Sequence, residues 1–242
     1  MGYDTSPPRG ACDDFLRPVR DRPVTRMPGA RPLWETAPVN RLCEYETHVT
    51  VRCTDDAARA GLDSWAGAAG LKVTHIVLAR GRMVSQPMLT LRGAEDLASQ
   101  RAAAERLVAR LRSGGFEPVR VKIETTPWSP EVRTAEGGYF EHHLKLLLEE
   151  DFDREALTAL AVRHGAHLSW NARRVASGGR HERFVTQRRR GVPAEEAGAA
   201  CDALVAELTA EGFDVLGEER EFVLYDSDLS VDDGWIDEGA GR

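Results

Sequence analysis

The sequence lacks the features that mark several common classes of protein. It has no run of about 20 apolar residues, the length that a membrane-spanning helix requires. Its first residues include proline, aspartate and arginine where a signal peptide would be apolar. Its four cysteines include no CxxC pair, so neither a zinc ribbon nor a disulfide framework is indicated. We therefore expect a cytoplasmic protein with reduced cysteines and no membrane partner.

Motifs for common cofactors are absent as well. No GxGxxG or P-loop pattern occurs, and we expect no cofactor. The formal net charge of −7 at pH 7 argues against a surface built as a whole to bind nucleic acid. The chain has 242 residues, of which 42% are hydrophobic and 29% charged, as is typical of a globular protein with one large domain or two smaller ones.

The composition separates two irregular tails from a regular middle. Seven of the twelve prolines precede residue 41, so residues 1–42 are predicted to form a Pro/Arg-rich N-terminal arm. Aspartate and glutamate dominate residues 226–242, which are predicted to form an acidic C-terminal tail.

The middle of the chain contains an internal duplication. Glu46 and His48 in CEYETHVTV are matched 95 residues later by Glu141 and His143 in GYFEHHLKL. A Gly-Phe pair recurs with a separation of 97 residues. Because the separation drifts so little, we infer two copies of one module. We place them at residues 43–127 and 139–225, with residues 128–138 as the linker.

Each repeat shows the pattern β-α-β-β-α-β. Alternating apolar and polar residues predict the strands, and Ala/Leu-rich segments that follow Asp and end at Gly predict the helices. This order is that of the ferredoxin-like motif, in which the helices cover one face of the sheet. We therefore predict an α+β fold of two tandem ferredoxin-like repeats packed pseudo-symmetrically, with irregular N- and C-terminal tails.

The alternation also predicts which side chains lie on the uncovered sheet faces. Val49 and Val51 must face the helices, so the polar residues beside them face the other way. The same reasoning selects Glu46, His48, Thr50, Arg92 and Lys122 in the first repeat, and Glu141, His143, Lys145 and Arg188 in the second. Arg120 and Glu124 lie on the same strand face as Lys122 and join this set. If the two sheets face each other, these groups line one polar cleft that attracts phosphate or carboxylate. A network of structural salt bridges is the alternative.

His48-Val49-Thr50 resembles the HxT/S strand motif of the two-histidine (2H) phosphoesterases. That family has two related lobes, each of which contributes one such motif to a central cleft. The resemblance implies that His48 is a general acid/base and that Thr50 holds the scissile phosphate. His143 occupies the matching place in the second repeat, where Lys145 stands instead of Ser or Thr.

These observations predict that the cleft recognises an anionic small molecule, namely a phosphate-bearing compound or nucleotide. Phosphoesterase-type acid/base chemistry by His48 and His143 would follow if the resemblance holds, because imidazoles can both accept and donate protons. The residues predicted to hold the anion are Thr50, Arg92, Lys122, Lys145 and Arg188.

Two alternatives remain open. First, Glu46, His48, Glu141 and His143 could together hold a divalent metal, since His and Glu on paired strands are suitable ligands. Second, the segment from Arg173 to Arg190 is locally basic and could contact an RNA or protein partner, in which case the chain is a non-catalytic adaptor.

Overall fold

The strands of the chain close into a barrel. The computed structural model describes residues 45–93, 96–172 and 180–236. The predicted N-terminal arm, part of the basic segment and the end of the acidic tail lie outside these ranges. Within them, no helix has both the length and the apolar character needed to span a membrane.

The first repeat has the predicted element order. Its elements are β1 (Tyr45–Arg52), α1 (Asp56–Ala68), β2 (Lys72–Leu78), β3 (Ser85–Gly93), α2 (Leu97–Ser113) and β4 (Glu117–Thr125). The carboxylates of Asp55 and Asp96 cap the two helices, each accepting a 2.7 Å hydrogen bond from a backbone N–H of the first turn. Such caps satisfy donors that have no partner within the helix.

The second repeat has the same order. Its elements are β5 (Tyr139–Leu148), α3 (Arg154–Arg163), β6 (Ala166–Asn171), β7 (His181–Arg190), α4 (Ala194–Ala210) and β8 (Asp214–Asp226). The predicted linker contains a short 3₁₀ helix, Pro130–Arg133. β8 continues through Gly217, where its pairing with β5 shifts in register.

The two repeats share one closed barrel rather than forming two separate sheets that face each other. The strand order around the barrel is β1-β3-β2-β6-β7-β5-β8-β4. In each repeat the first and third strands are therefore central, as the ferredoxin-like motif requires. The edge strands then pair between repeats, β2 with β6 and β4 with β8, both antiparallel. This pairing satisfies backbone groups that two separate sheets would leave exposed at their edges.

The apolar core lies between the barrel and the helices that cover its outer surface. In the first repeat Val49, Val51 and Leu62 are completely buried within one cluster. In the second repeat Leu144 and Leu204 are completely buried within another. Since side chains alternate along each strand, the opposite strand faces point into the barrel, and these faces carry the polar residues.

A C-terminal plug (residues 227–236) follows β8 and closes one end of the barrel. It contains a short 3₁₀ helix, Leu229–Asp232, and buries Asp232 and Trp235. The Trp235 indole N–H donates to the carbonyl of Leu168 at 3.0 Å. The plug passes so close to Gly81, which has φ of +115°, that a Cβ there would lie 3.0 Å from Trp235.

Truncation of Leu144 to alanine tests the packing between barrel and helices. Its side chain is completely buried, so we expect the free energy of unfolding to fall by about 2–5 kcal/mol through lost burial and a residual cavity. Denaturant unfolding measures the change. Val162→Ala is the control, because Val162 is 47% exposed and should lose little. Equal losses in the two variants would contradict the assigned core.

Candidate functional site

A cavity of about 470 Å³ occupies the interior of the barrel. Every site residue predicted from the sequence lines this cavity. These residues are Glu46, His48, Thr50, Arg92, Lys122, Glu141, His143, Lys145 and Arg188. The cavity volume lies within the range typical of small-molecule sites. The structure therefore brings the predicted residues of both repeats into one chamber.

The cavity has an apolar wall and two different ends. Ile76, Met88 and Phe184 contribute the apolar wall from β2, β3 and β7. At one end, lining residues such as Lys72 and Arg92 are exposed to solvent. At the other end, the lining residues are buried beneath the C-terminal plug. A ligand would thus enter from the exposed end.

The ammonium group of Lys122 bridges the two repeats at the centre of the charged region. Its Nζ lies 2.6 Å from Glu124 Oε1 and 2.5 Å from Glu141 Oε2. Burial opposes the charge, but the two carboxylates raise the pKa of Lys122 well above its usual value. The ammonium in turn helps to hold the pKa values of Glu124 and Glu141 low. All three groups are therefore ionised at neutral pH.

His48 lies between a hydroxyl and a carboxylate. Its Nδ1 is 3.1 Å from Thr90 Oγ1, and its Nε2 is 3.0 Å from Glu124 Oε2. Burial alone would favour the neutral ring, but the negative charges of Glu124 and Glu46 outweigh it and raise the pKa of His48.

His143 has an equivalent environment in the second repeat. Its Nδ1 is 2.9 Å from Thr186 Oγ1, and its Nε2 lies 3.4 Å from Glu221 Oε2 and 3.6 Å from Glu141 Oε2. Burial again opposes protonation, yet the nearby carboxylates of Glu141 and Glu221 raise the pKa of His143 to about 10. The ring is consequently an imidazolium at neutral pH.

Glu221 is the carboxylate whose protonation changes near neutral pH. Burial, together with the charge of Glu124, raises the pKa of Glu221 to about 7, although His143 acts in the opposite direction. Protonated His143 can donate a proton, whereas ionised Glu221 can accept one. Adjacent groups whose pKa values differ in this way are a common arrangement for acid/base chemistry.

The buried end of the cavity is held together by ion pairs with Asp232 of the plug. Arg188 Nη2 lies 2.7 Å from Asp232 Oδ2 and 2.8 Å from Glu141 Oε1. Arg120 Nη1 also donates to Asp232 Oδ2, at 2.9 Å. The predicted anion-binding residue Arg188 is therefore already engaged by two carboxylates of the protein.

At the exposed end, the predicted cations are paired with acids as well. Arg92 Nη2 lies 2.6 Å from Glu46 Oε2, and Lys145 Nζ lies 2.5 Å from Glu182 Oε1. An anionic ligand at these residues would have to share them with the carboxylates. Thr50 is buried in the cavity wall.

The four residues proposed as metal ligands do not come together as one group: Glu141 and His143 belong to one cluster of ligand atoms, Glu46 belongs to another, and His48 belongs to neither. Among the described residues, ligand atoms of Glu124, Glu141 and His143 lie within 4.8 Å of one another, and so do those of a second group, Glu46, Glu219 and Glu221. In the first group, the Lys122 ammonium contacts both carboxylates. A cation already neutralises that group, so the second group is the better candidate for a metal.

The basic segment proposed to bind RNA or protein is only partly described. Arg188 lines the barrel cavity, and the Arg190 guanidinium lies 4.1 Å from the centroid of the Tyr139 ring. Arg183 stacks on Trp170 at 5.4 Å, and Arg189 lies 3.5 Å from Glu196. Each of these four arginines therefore has a partner within the chain, and the four side chains do not converge on one position.

Two important residues of the site, Glu221 and Asp232, are absent from the set predicted by strand alternation, whereas Arg120 and Glu124 belong to that set and line the cavity. Glu221 follows Glu124 by 97 residues, the same separation as the recurring Gly-Phe pair, so the duplication could have identified it. Asp232 carries no such signal, because it belongs to an acidic segment outside the repeats.

Comparisons with known proteins add little about function. No family model and no curated protein matches the chain. The regulatory subunit of aspartate kinase from Thermus thermophilus aligns with 69% of this chain and 93% of its own, at 17% identity and a TM-score of 0.27. The acetolactate synthase small subunit from Thermotoga maritima aligns with 73% and 95%, at 12% identity and 0.26. A chlorite dismutase from Candidatus Nitrospira defluvii aligns with 78% and 92%, at 13% identity and 0.26.

At these identities and TM-scores, the likenesses support no inference about what this chain binds. None of these matches is a two-histidine phosphoesterase, so the comparisons do not support that resemblance.

The environment of His143 predicts a dependence of stability on alkaline pH. Between its ordinary pKa of 6.5 and the folded value of about 10, the folded state keeps a proton that the unfolded state releases. The free energy of unfolding should therefore fall as pH rises through this window, with a contribution of up to about 1.4 kcal/mol per pH unit. Denaturant unfolding at several pH values should show a flatter slope for His143→Gln.

The matched control is His142→Gln, one residue away on the opposite strand face. Burial lowers the pKa of His142, so its stability contribution changes below pH 6.5 and not above it. A slope that is the same in wild type and His143→Gln would contradict the assigned charge.

Proposed function

We propose that the barrel interior binds a small organic molecule that bears a phosphate group, nucleotides included, and transfers protons on it. The observation that carries this proposal is the enclosed cavity, which has Lys72 and Arg92 among the residues of its exposed end and an adjacent apolar wall. Lys72 and Arg92 would meet the anionic group, while Ile76 and Phe184 would pack against the organic part. Such a combination of a few charged groups with an apolar wall is typical of ligand sites.

Lys145 would also contact the anion, and the register supports this role. It pairs with Gly217 of β8, next to the exposed residues Glu218 and Glu219. Its ammonium therefore lies towards the exposed end of the cavity. A bound phosphate would compete with Glu182 for it, and the higher charge of the phosphate favours the exchange.

The acid/base roles that we propose differ from those that the histidine motif implies. Since the pKa of His143 is raised to about 10 and that of His48 is also raised, both rings would act as proton donors or as positive charges towards the phosphate. Glu221, with a pKa of about 7, would accept the proton. Efficient proton transfer requires such a group near the working pH.

We further infer that the repeats are related by an approximate twofold axis. The inter-repeat pairs β2–β6 and β4–β8 each join equivalent strands, as a twofold arrangement requires. The His-Thr contacts are also equivalent in the two repeats.

A divalent cation is a second candidate ligand, favoured by the carboxylate group of Glu46, Glu219 and Glu221. Their ligand oxygens lie within 4.8 Å of one another, and burial raises the pKa values of Glu46 and Glu221. Mg²⁺ is commonly held by one or two carboxylates together with substrate phosphates. The cation would thus reduce the repulsion between these acids and a bound phosphate.

Thermal unfolding with a panel of nucleotides, cyclic phosphates and sugar phosphates, each with and without Mg²⁺, tests the proposal. We expect at least one phosphate compound to raise the Tm of the wild type, since a ligand at 100 times its Kd stabilises by about 2.7 kcal/mol. Arg92→Met and Lys145→Met should lose most of this shift. Arg52→Met should keep it, because Arg52 pairs with Glu117 outside the cavity.

The proposal fails if no phosphate compound changes the Tm, or if all three variants respond like the wild type. Stabilisation by Mg²⁺ alone, lost in Glu219→Gln, would instead support the cation.

A further inference from the structure

We infer that Arg120, Arg188 and Gln86 form an oxyanion-binding site at the buried end of the barrel. Asp232 of the C-terminal plug occupies this site, and a carboxylate or phosphate group of an external ligand can replace it there. This site is distinct from the exposed end and does not depend on the function proposed above.

The contacts of Asp232 resemble those of a bound ligand. Its Oδ2 accepts from Arg188 at 2.7 Å and from Arg120 at 2.9 Å, and its Oδ1 accepts from Gln86 at 3.0 Å. The three donors come from three different strands, β7, β4 and β3, and all are buried. Two guanidinium groups and an amide converging on one oxyanion form a recognition site for carboxylate or phosphate.

The two guanidinium groups meet at the carboxylate of Asp232. Arg188 also pairs with Glu141, which Lys122 contacts, and Arg120 also pairs with Asp226. Asp232 Oδ2 is the acceptor that both guanidinium groups share, so without it each of them loses a buried partner. Because a buried donor without an acceptor is costly, an oxyanion is favoured at this position whatever its source.

Residues 228–236 of the plug can leave this position without breaking a strand pair. The last strand pair that involves β8 at this end is Lys122 with Asp226. Ser227 extends the contact with β4, because its N–H donates to the Val121 carbonyl at 3.0 Å and its Oγ accepts from the Val121 N–H at 2.8 Å.

The described attachments beyond Ser227 include the Trp235–Leu168 hydrogen bond and a 2.7 Å bond from the Arg82 N–H to the Asp233 carbonyl. Both lie outside the barrel strand pairing, so residues 228–236 can move while Ser227 stays hydrogen-bonded to β4.

Asp232 is thus an internal competitor for an external oxyanion. When a site is occupied internally, the apparent Kd of an external ligand equals its intrinsic Kd divided by the fraction of molecules in which the site is free. Removing the competitor should therefore tighten binding of the external ligand. Inorganic phosphate and acetate are suitable probes, because they separate a preference for phosphate from one for carboxylate.

Titration of the full chain with phosphate or acetate at constant ionic strength tests this inference, with the Tm as readout and chloride as reference. In Asp232→Ala we expect the apparent Kd for at least one of the two anions to be at least about tenfold lower than in the wild type. Asp233→Ala is the matched control: its side chain is 65% exposed and lies 4.0 Å from Arg82. It should titrate like the wild type.

Equal apparent Kd values in all three proteins, for both anions, would overturn the inference and leave a purely structural ion-pair cluster. If Asp232→Ala does not fold in chloride, Asp232→Asn takes its place, because the amide keeps the shape and an acceptor for Gln86. If neither variant folds in chloride, recovery on refolding in phosphate or acetate supports the site, and failure in both anions overturns it.

Discussion

The buried contact of Lys122 with Glu124 and Glu141 is the interaction on which the polar interior depends. One carboxylate comes from the same repeat as the lysine and the other from the second repeat. Each charge would be costly alone in the barrel, and removing one partner leaves the others uncompensated. The contact therefore joins the two repeats electrostatically, in addition to the strand pairs that close the barrel.

The same compensation extends outward from Lys122 and determines what the histidines can do. Glu124 and Glu141 are close to His48 and His143 respectively, and their negative charges favour the imidazolium forms. A histidine with a raised pKa is a poor base at neutral pH but a useful positive charge and proton donor. The interior thus combines features of a salt-bridge network and of a binding site, which sequence analysis had treated as alternatives.

The two ends of the barrel differ although the repeats share one order of elements. At the buried end, Arg188 contacts Asp232 of the plug. At the exposed end, the matching Arg92 has a 51% exposed side chain. The difference arises from the segment after β8, whose Asp232 and Trp235 line the cavity, whereas no residue of the linker after β4 lines it. An asymmetric segment has therefore turned a duplicated framework into a chamber with one open end.

Strand alternation and the duplication were enough to predict the element order and the face on which Glu46, His48, Glu141 and His143 lie, because side-chain direction along a strand has a period of two residues. The sequence by itself determined the ferredoxin-like repeats and the inward-facing polar set. Only the tertiary structure decided that β2–β6 and β4–β8 pairing closes a barrel, that Lys122 reaches Glu141, and that Asp232 contacts Arg188. Those contacts join residues far apart in the chain, and their partners depend on which strand edges meet and where the terminal segment packs, which no local pattern encodes.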